Sequence, residues 1–296
     1  MTEKKTRWVK EPHKRSMLGY RLVRKLYTKQ SQFQKIEVFQ TEKCGNLLVL
    51  DGCFMLTEFE EFVYHEMIVH IPMFAHPNPE RILVIGGGDG GAIRELLKHP
   101  TVKRVDFAEL DEDVWKTSLK YFPTLTSWHP DPRVNFFFGD GCQFVKEEKN
   151  HGKYDVVLVD STDPINMGEG LFSLEFYKNL KKTLRFGGCI VAQTEDPFYD
   201  PDLLVRGFKK IEKIFLNKNA HLYLAYVPTY PSGCWSFTFG SDALHPWNYK
   251  NLNGRPLAEK MKLKYYNIDL QRHVWDNLPT FVRELTQTGK SIIEVK

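Results

Sequence analysis

Between residues 81 and 195 the chain repeats one rhythm: a short apolar run, a glycine or carboxylate at its end, then a helical stretch. The apolar runs fall at 81–85, 102–108, 134–138, 155–159 and 189–193. They end at the loop Gly86-Gly87-Gly88-Asp89-Gly90-Gly91, at Glu109, at Asp140-Gly141, at Asp160 and near Glu195. Runs of this length, bounded by turn residues, read as buried strands. Residues 92–98 place Ile93, Leu96 and Leu97 on one helical face. Such alternation dictates a parallel sheet with helices on both faces. Two further runs, at 221–227 and 235–239, are separated only by residues 228–234. That joint is too short for a crossover helix, so the two strands must pair antiparallel.

The fold class expected is therefore α/β, with a Rossmann-like sheet of the class I methyltransferase type rather than the dinucleotide dehydrogenase type. A different pattern precedes it. Residues from about 20 to 56 read as strands: Gln34-Lys35-Ile36-Glu37-Val38-Phe39 alternates polar and apolar, and Asp51-Gly52 marks a tight turn after Leu47-Leu48-Val49-Leu50. This predicts a small N-terminal antiparallel β-domain. Thr57 and Glu60 form a capping-box pattern ahead of Phe59, Phe62, Val63 and Met67, which recur near helical spacing. His76-Pro77-Asn78-Pro79 then breaks the chain. The expected division is residues 1–78, a β-domain with a linking helix, and residues 79–296, the Rossmann-like domain.

Gly86-x-Gly88-x-x-Gly91 directly follows a strand and opens a helix, the context a nucleotide-binding loop requires. Glu109 ends the next strand, 18 residues after Gly91, where a carboxylate can hold both ribose hydroxyls. Asp140 before Gly141 suits an adenine amino group. Asp89 discriminates between ligands: inside the loop it repels a pyrophosphate and welcomes a cation, so a sulfonium or ammonium ligand is expected. Ligands of open α/β sheets bind beyond the carboxyl ends of the strands. Asp89, Glu109, Asp140, Asp160, Asp163 and Glu195 should gather there, and crowded acids are costly unless a polycation joins them. An alternative role for Asp163 is to cap the following helix.

Composition excludes several classes. The formal net charge is +4, with no dense basic block. The basic N-terminal residues Lys4, Lys5, Arg7, Lys10, Lys14 and Arg15 read as a solvated or frayed terminus, so no nucleic-acid partner is expected. The five cysteines form no CxxC pair, which argues for a reducing, cytoplasmic setting without a disulfide framework. No apolar stretch reaches the roughly 18 residues a membrane span needs. His65 and His70 lie five residues apart, which turns them about 140° from each other on a helix. No metal site is expected there. Cys142 reads as a small packing residue rather than a nucleophile.

Taken together, these residues resemble the spermidine synthase family. The resemblance rests on Gly86–Gly91, Glu109-Leu110-Asp111, Gly139-Asp140-Gly141, Asp160-Ser161-Thr162-Asp163-Pro164 and Thr229-Tyr230-Pro231-Ser232-Gly233. It rests also on Gln32-Phe33-Gln34-Lys35-Ile36, Leu50-Asp51-Gly52, Tyr64-His65-Glu66-Met67, His76-Pro77-Asn78-Pro79 and Lys264-Tyr265-Tyr266-Asn267, and spans roughly residues 20–285. It implies transfer of an aminopropyl group from decarboxylated S-adenosylmethionine, a co-substrate rather than a cofactor, to putrescine. The products are spermidine and 5′-methylthioadenosine. It implies homodimers or homotetramers. By position, Gln34, Gly86, Gly88, Asp89, Glu109, Asp140 and Gly141 would bind the donor. Tyr64, His65, Asp89, Asp160, Asp163, Tyr230 and Glu195 would bind the amine, with Asp196 an alternative to Glu195 and Asp160 the proton acceptor. Two departures stand out: Asn166-Met167 where the family often has Gly-Pro, and the segment Leu270-Gln271-Arg272-His273-Val274-Trp275. Agmatine, cadaverine or a longer amine are alternative acceptors. A methyltransferase on the same fold and a non-catalytic polyamine-binding protein are the other readings.

Overall fold

The structure, a computed structural model, describes residues 7–13, 16–161, 173–247 and 254–289. Five antiparallel strands open the chain: β1 (Arg7–Pro12), β2 (Met17–Gln30), β3 (Lys35–Thr41), β4 (Asn46–Leu50) and β5 (Cys53–Thr57), in that spatial order. Period-2 alternation gives the sheet two apolar faces. Ile36, Val38, Leu48, Leu50 and Leu56 pack with Val114, Phe122 and Leu125 of the second domain. Phe39, Leu47, Val49 and Phe54 pack with Val9, Leu18, Tyr20 and Leu22. Of the basic residues read as a solvated or frayed terminus, Lys4, Lys5, Lys14 and Arg15 lie outside the described residues, while Arg7 and Lys10 are solvated but not frayed: they belong to β1, laddered from Arg7↔Leu22 to Pro12↔Met17. The charges obscured it because they point outward, and pairing with β2 rather than local composition holds the strand.

Helix α1 (Glu61–Ala75) follows. It starts at Glu61, so Glu60 is not a third helical residue as the capping-box pattern requires. Its Oε1 does accept from Thr57 N at 3.0 Å, the side-chain half of that box, but the Thr57 hydroxyl donates to the same oxygen at 3.0 Å rather than accepting from Glu60 N. By packing, α1 belongs with the second sheet: Val63, Met67, Ile68 and Ile71 share a core with Ile82, Val84 and Leu158.

The second sheet holds β6 (Arg81–Gly86), β7 (Arg104–Glu109), β8 (Val134–Phe138), β9 (Tyr154–Asp160), β10 (Leu184–Gln193), β11 (Ala220–Tyr226) and β12 (Cys234–Ser241). Their order is β11-β12-β10-β9-β6-β7-β8. The five strands β8, β7, β6, β9 and β10 run parallel, and β12 and β11 add as the antiparallel pair expected from their short joint. This is the Rossmann-like, methyltransferase-type sheet with its small N-terminal β-domain. The two faces of β6 feed different layers. Ile82 and Val84 pack toward α1 and α2 (Gly91–Leu97), while Leu83 and Ile85 pack toward Phe176, Leu180, Leu204 and Phe208. Between β6 and β9 the strand order reverses, which opens a crevice at their carboxyl ends.

The C-terminal segment is tied to α1 by one carboxylate. Buried Glu66 accepts the backbone N–H groups of Lys264, Tyr265 and Tyr266 at 2.8–2.9 Å. This accounts for two motifs that lie 198 or more residues apart in sequence. Among the described residues no helix is long and apolar enough to cross a membrane.

Candidate active site

The glycine loop builds the crevice by lying against the end of β9. Gly86, Gly87 and Gly90 have φ of +79°, +73° and +83°, the left-handed region that favours glycine. Gly87 N donates to Asp160 O at 2.7 Å, and a Cβ on Gly86 would sit 2.1 Å from that same oxygen. This close approach aligns the loop with the last residue of β9 and puts Asp160 beside it.

A cavity of about 390 Å³ opens there, between the two domains. Of the residues expected to bind a donor, Gln34, Gly86, Gly88, Asp89, Glu109 and Gly141 line it; of those expected to bind an amine, Tyr64, His65, Asp89, Asp160 and Tyr230 do. Gln34 reaches it from the N-terminal sheet because its Nε2 donates to Asp111 Oδ2 at 3.1 Å. Tyr64 and Tyr230 meet edge-on, ring centroids 5.9 Å apart. Three expected residues do not line the cavity: Asp140, Glu195 and its alternative Asp196, whose carboxylate accepts from Phe198 N, Tyr199 N and Ser232 N. The exposed Asp140 side chain caps the helix Gly141–Lys146, accepting from Cys142 N at 2.7 Å. Glu195 is buried beside β12, its carbonyl accepting from Ser236 N and Oγ. Asp163, with Asn166-Met167, lies outside the described residues. Sequence reasoning missed Glu60 and Glu61, which both line the cavity. Their signal was an acidic pair one helical turn before Tyr64 and His65, absorbed into a capping pattern.

The carboxylates differ because their neighbours differ. Asp160 is pushed up to about 6, first by burial and then by Asp89, while His65 and a hydrogen bond from Tyr64 oppose the rise. Tyr64 Oη donates to Asp160 Oδ1 at 2.7 Å, and Asp160 Oδ2 has no hydrogen-bond partner among the described residues. Burial raises Glu109 to about 7, although Asp111 N donates to its Oε1 at 2.8 Å. Burial would raise Asp89 too, yet it ends up lowered because His65 and the Gly91 N–H hold its anion. Burial would lower His65, but Asp89 and Glu61 lift it well above the ordinary histidine value. Its Nδ1 is 2.7 Å from Glu61 and its Nε2 is 3.1 Å from Asp89.

His65, Asp89 and Asp160 bring potential ligand atoms within 4.8 Å of one another. An imidazolium held between two carboxylates has no lone pair for a metal. Burial of Cys142 raises its thiol to about 11, so it is a poor nucleophile. The positive groups that contact these cavity carboxylates among the described residues are His65 and Arg94. The site therefore carries excess negative charge and an open carboxylate oxygen, conditions that favour an amine or sulfonium ligand.

Two family models match the chain. One, described as the spermine/spermidine synthase domain, matches residues 61–251; the other, described as the spermidine synthase tetramerisation domain, matches residues 7–58. The chain belongs to the spermine/spermidine synthase family. The polyamine aminopropyltransferase of Alkaliphilus metalliredigens is 43% identical over 92% of this chain and 94% of its own length. That of Caldicellulosiruptor bescii is 43% identical over 90% and 94%. Spermidine synthase from Thermotoga maritima superposes with a TM-score of 0.87 at 35% identity, covering 96% of this chain and 95% of that one. A spermidine synthase crystallised with the transition state analogue AdoDATO superposes with a TM-score of 0.90 at 36% identity, covering 96% of each chain. This chain is thus an enzyme of the aminopropyl-transferring family, and its N-terminal sheet is the unit matched by the tetramerisation domain, which supports self-association.

Proposed function

We propose that the enzyme transfers the aminopropyl group of decarboxylated S-adenosylmethionine to putrescine, giving spermidine, 5′-methylthioadenosine and a proton. One observation carries this reading. Asp160 is buried, has one oxygen engaged by Tyr64 and the other open, and stands beside Asp89 in an anionic cavity. Gln34, Gly86, Gly88, Glu109 and Gly141 hold the nucleoside, and Asp89 holds the ammonium of the aminopropyl arm. Tyr64 and Tyr230 form the amine wall, Tyr230 presenting its ring to a cation. Asp163, by its place in the Asp160–Pro164 motif, is assigned to the acceptor. No cofactor or metal is required, and the cytoplasm suits the free cysteines.

The acceptor nitrogen attacks the carbon beside sulfur, the C–S bond breaks, and its electron pair stays on sulfur. Asp160 takes the proton the nitrogen loses. An alkylammonium has a pKa of about 10. Raising Asp160 from 3.8 to about 6 closes part of that gap, about 3 kcal/mol. As the bond forms, positive charge passes from sulfur to nitrogen, so an anion at nitrogen stabilises the transition state more than the reactants. The test is a panel of putrescine, agmatine, cadaverine and longer amines with the decarboxylated donor, read as methylthioadenosine release. Putrescine should give the highest kcat/KM, and S-adenosylmethionine should give no transfer. Preference for another amine overturns the acceptor, and methyl transfer overturns the reaction.

Two further outcomes follow from the geometry. Activity requires ionised Asp160, so kcat/KM for the amine should fall as pH drops through about 6. Bound cationic ligands favour the anion, so the same limb in kcat should lie lower. A kcat/KM profile that stays flat down to pH 5 removes Asp160 from the role of base. The second concerns the donor pocket. A Cβ on Gly88 would lie 2.8 Å from Val114 Cγ1 and 2.9 Å from Glu109 Oε2. Gly88→Ala should therefore weaken methylthioadenosine binding by calorimetry about tenfold or more, equivalent to about 1.4 kcal/mol. Unchanged affinity would show that Glu109 does not hold the nucleoside.

A further inference from the structure

Behind Asp89 lies a chain of buried charge that the transfer reaction does not itself use. Arg94 of α2 grips Glu61 with two parallel bonds, Nη1 to Oε1 and Nη2 to Oε2, both 2.8 Å. Glu61 Oε2 meets His65 Nδ1 at 2.7 Å, one turn along α1. His65 Nε2 reaches Asp89 Oδ1 at 3.1 Å, and Gly91 N donates to the same oxygen at 2.7 Å. Both donors take Oδ1, which leaves Oδ2 for a ligand. The His65 side chain is 2% exposed and that of Glu61 6%, so water does not compete for these bonds. The ring fits because Gly91 has no Cβ; one placed there would lie 2.3 Å from His65 Cε1.

We propose that Glu61 and Arg94 are positioning residues: acting through His65, they fix the orientation and charge of Asp89 so that it receives the aminopropyl ammonium. The inference rests on the donor assignment above. It gives His65 a different task from lining the amine wall. Engaged by carboxylates on both ring nitrogens, His65 is a donor at both, and it cannot accept a proton or hydrogen bond from a substrate ammonium. The groups facing it are Glu61 on its own helix, Glu60 just ahead of that helix, Asp89 in the glycine loop, Asp160 at the end of β9 and Tyr64 alongside. Arg94 acts one step removed. A staple that merely joined α1 to α2 would need the Arg94–Glu61 pair alone; the continuation through His65 to a cavity carboxylate is what assigns it to the site.

The experiment combines a double-mutant cycle with a spectroscopic titration on the full chain. Glu61→Gln keeps the shape and removes the charge. It should raise the KM for the decarboxylated donor about tenfold, the scale of one charge-assisted hydrogen bond. Methylthioadenosine, which lacks the ammonium, should bind within about twofold of wild type. In a His65→Gln background the same change should add less than about twofold, because the path to Asp89 is already cut. Equal costs in both backgrounds would overturn the proposal. Arg94→Lys supplies a second route should Glu61→Gln not fold: it should raise the donor KM with kcat little changed, and a loss confined to kcat counts against the relay. The ring resonances of His65 give a readout independent of turnover. In wild type their midpoint should lie well above that of free histidine, and Glu61→Gln should lower it. A wild-type midpoint near that of free histidine, about 6.5, overturns the relay. Absence of aminopropyl transfer by the wild type would instead overturn the function, leaving the titration to decide the relay alone.

Discussion

Asp160→Asn is expected to abolish turnover and to make the protein harder to melt. The loss of rate follows from the open Oδ2: asparagine keeps an acceptor for Tyr64 but supplies neither a base nor an anion. Removing a general base costs typically about 10²–10⁴-fold. The gain in stability follows from linkage. Asp160 has a folded-state pKa of about 6, above its ordinary 3.8. Between those values the folded state holds more protons than the unfolded one, so stability falls as pH rises. Above about pH 6 the full penalty, at most about 3 kcal/mol, is present. Asparagine carries no such penalty. The melting temperature should rise by several degrees at pH 7.5, at about 2–4 °C per kcal/mol for a chain this large. Below pH 4 the difference should vanish. Retention of more than a tenth of wild-type turnover, or a lower melting temperature at pH 7.5, would sink this account of Asp160.

The second large effect belongs to Asp89. Asp89→Asn should weaken binding of decarboxylated S-adenosylmethionine about a hundredfold, or 2.7 kcal/mol, the range of a hydrogen bond to a charged group. Methylthioadenosine should lose little, since it has a methyl group where the donor has an ammonium-bearing arm. The amide still offers an oxygen to Gly91 N, so the loop keeps its cap. The variant should also narrow the preference over S-adenosylmethionine, whose carboxylate Asp89 repels. Calorimetry with the three nucleosides decides the matter: equal weakening of donor and methylthioadenosine would mean that Asp89 shapes the loop rather than reading charge.

Much of this molecule was legible in single residues. The run at 134–138 coincides with β8 (Val134–Phe138), and the other parallel strands fall within a few residues of expectation apart from β10, which begins at Leu184. The short joint at 228–234 forced the antiparallel pair, and it is there. β1 was not legible, because a strand of six residues whose side chains are mostly exposed has no apolar period to announce it. The start of α1 was misjudged for a related reason. Thr57 and Glu60 do bond to each other, but they close a turn ahead of the helix.

The parallel sheet with its antiparallel end, the loop and the family could be read from the chain alone, because strand length, turn chemistry and connection length are local and leave few ways to wind such a sheet. So could the acids that end the strands. Where each acid points was settled by folding. Glu109 and Asp160 enter the cavity, Asp140 turns its side chain to cap a helix, and Glu195 packs beside β12. The contacts that sort them join distant residues: Tyr64 to Asp160 across 96 positions, Gln34 to Asp111 across 77. The protonation of a carboxyl follows from burial and from the charges set against it, and neither quantity exists until the chain has folded.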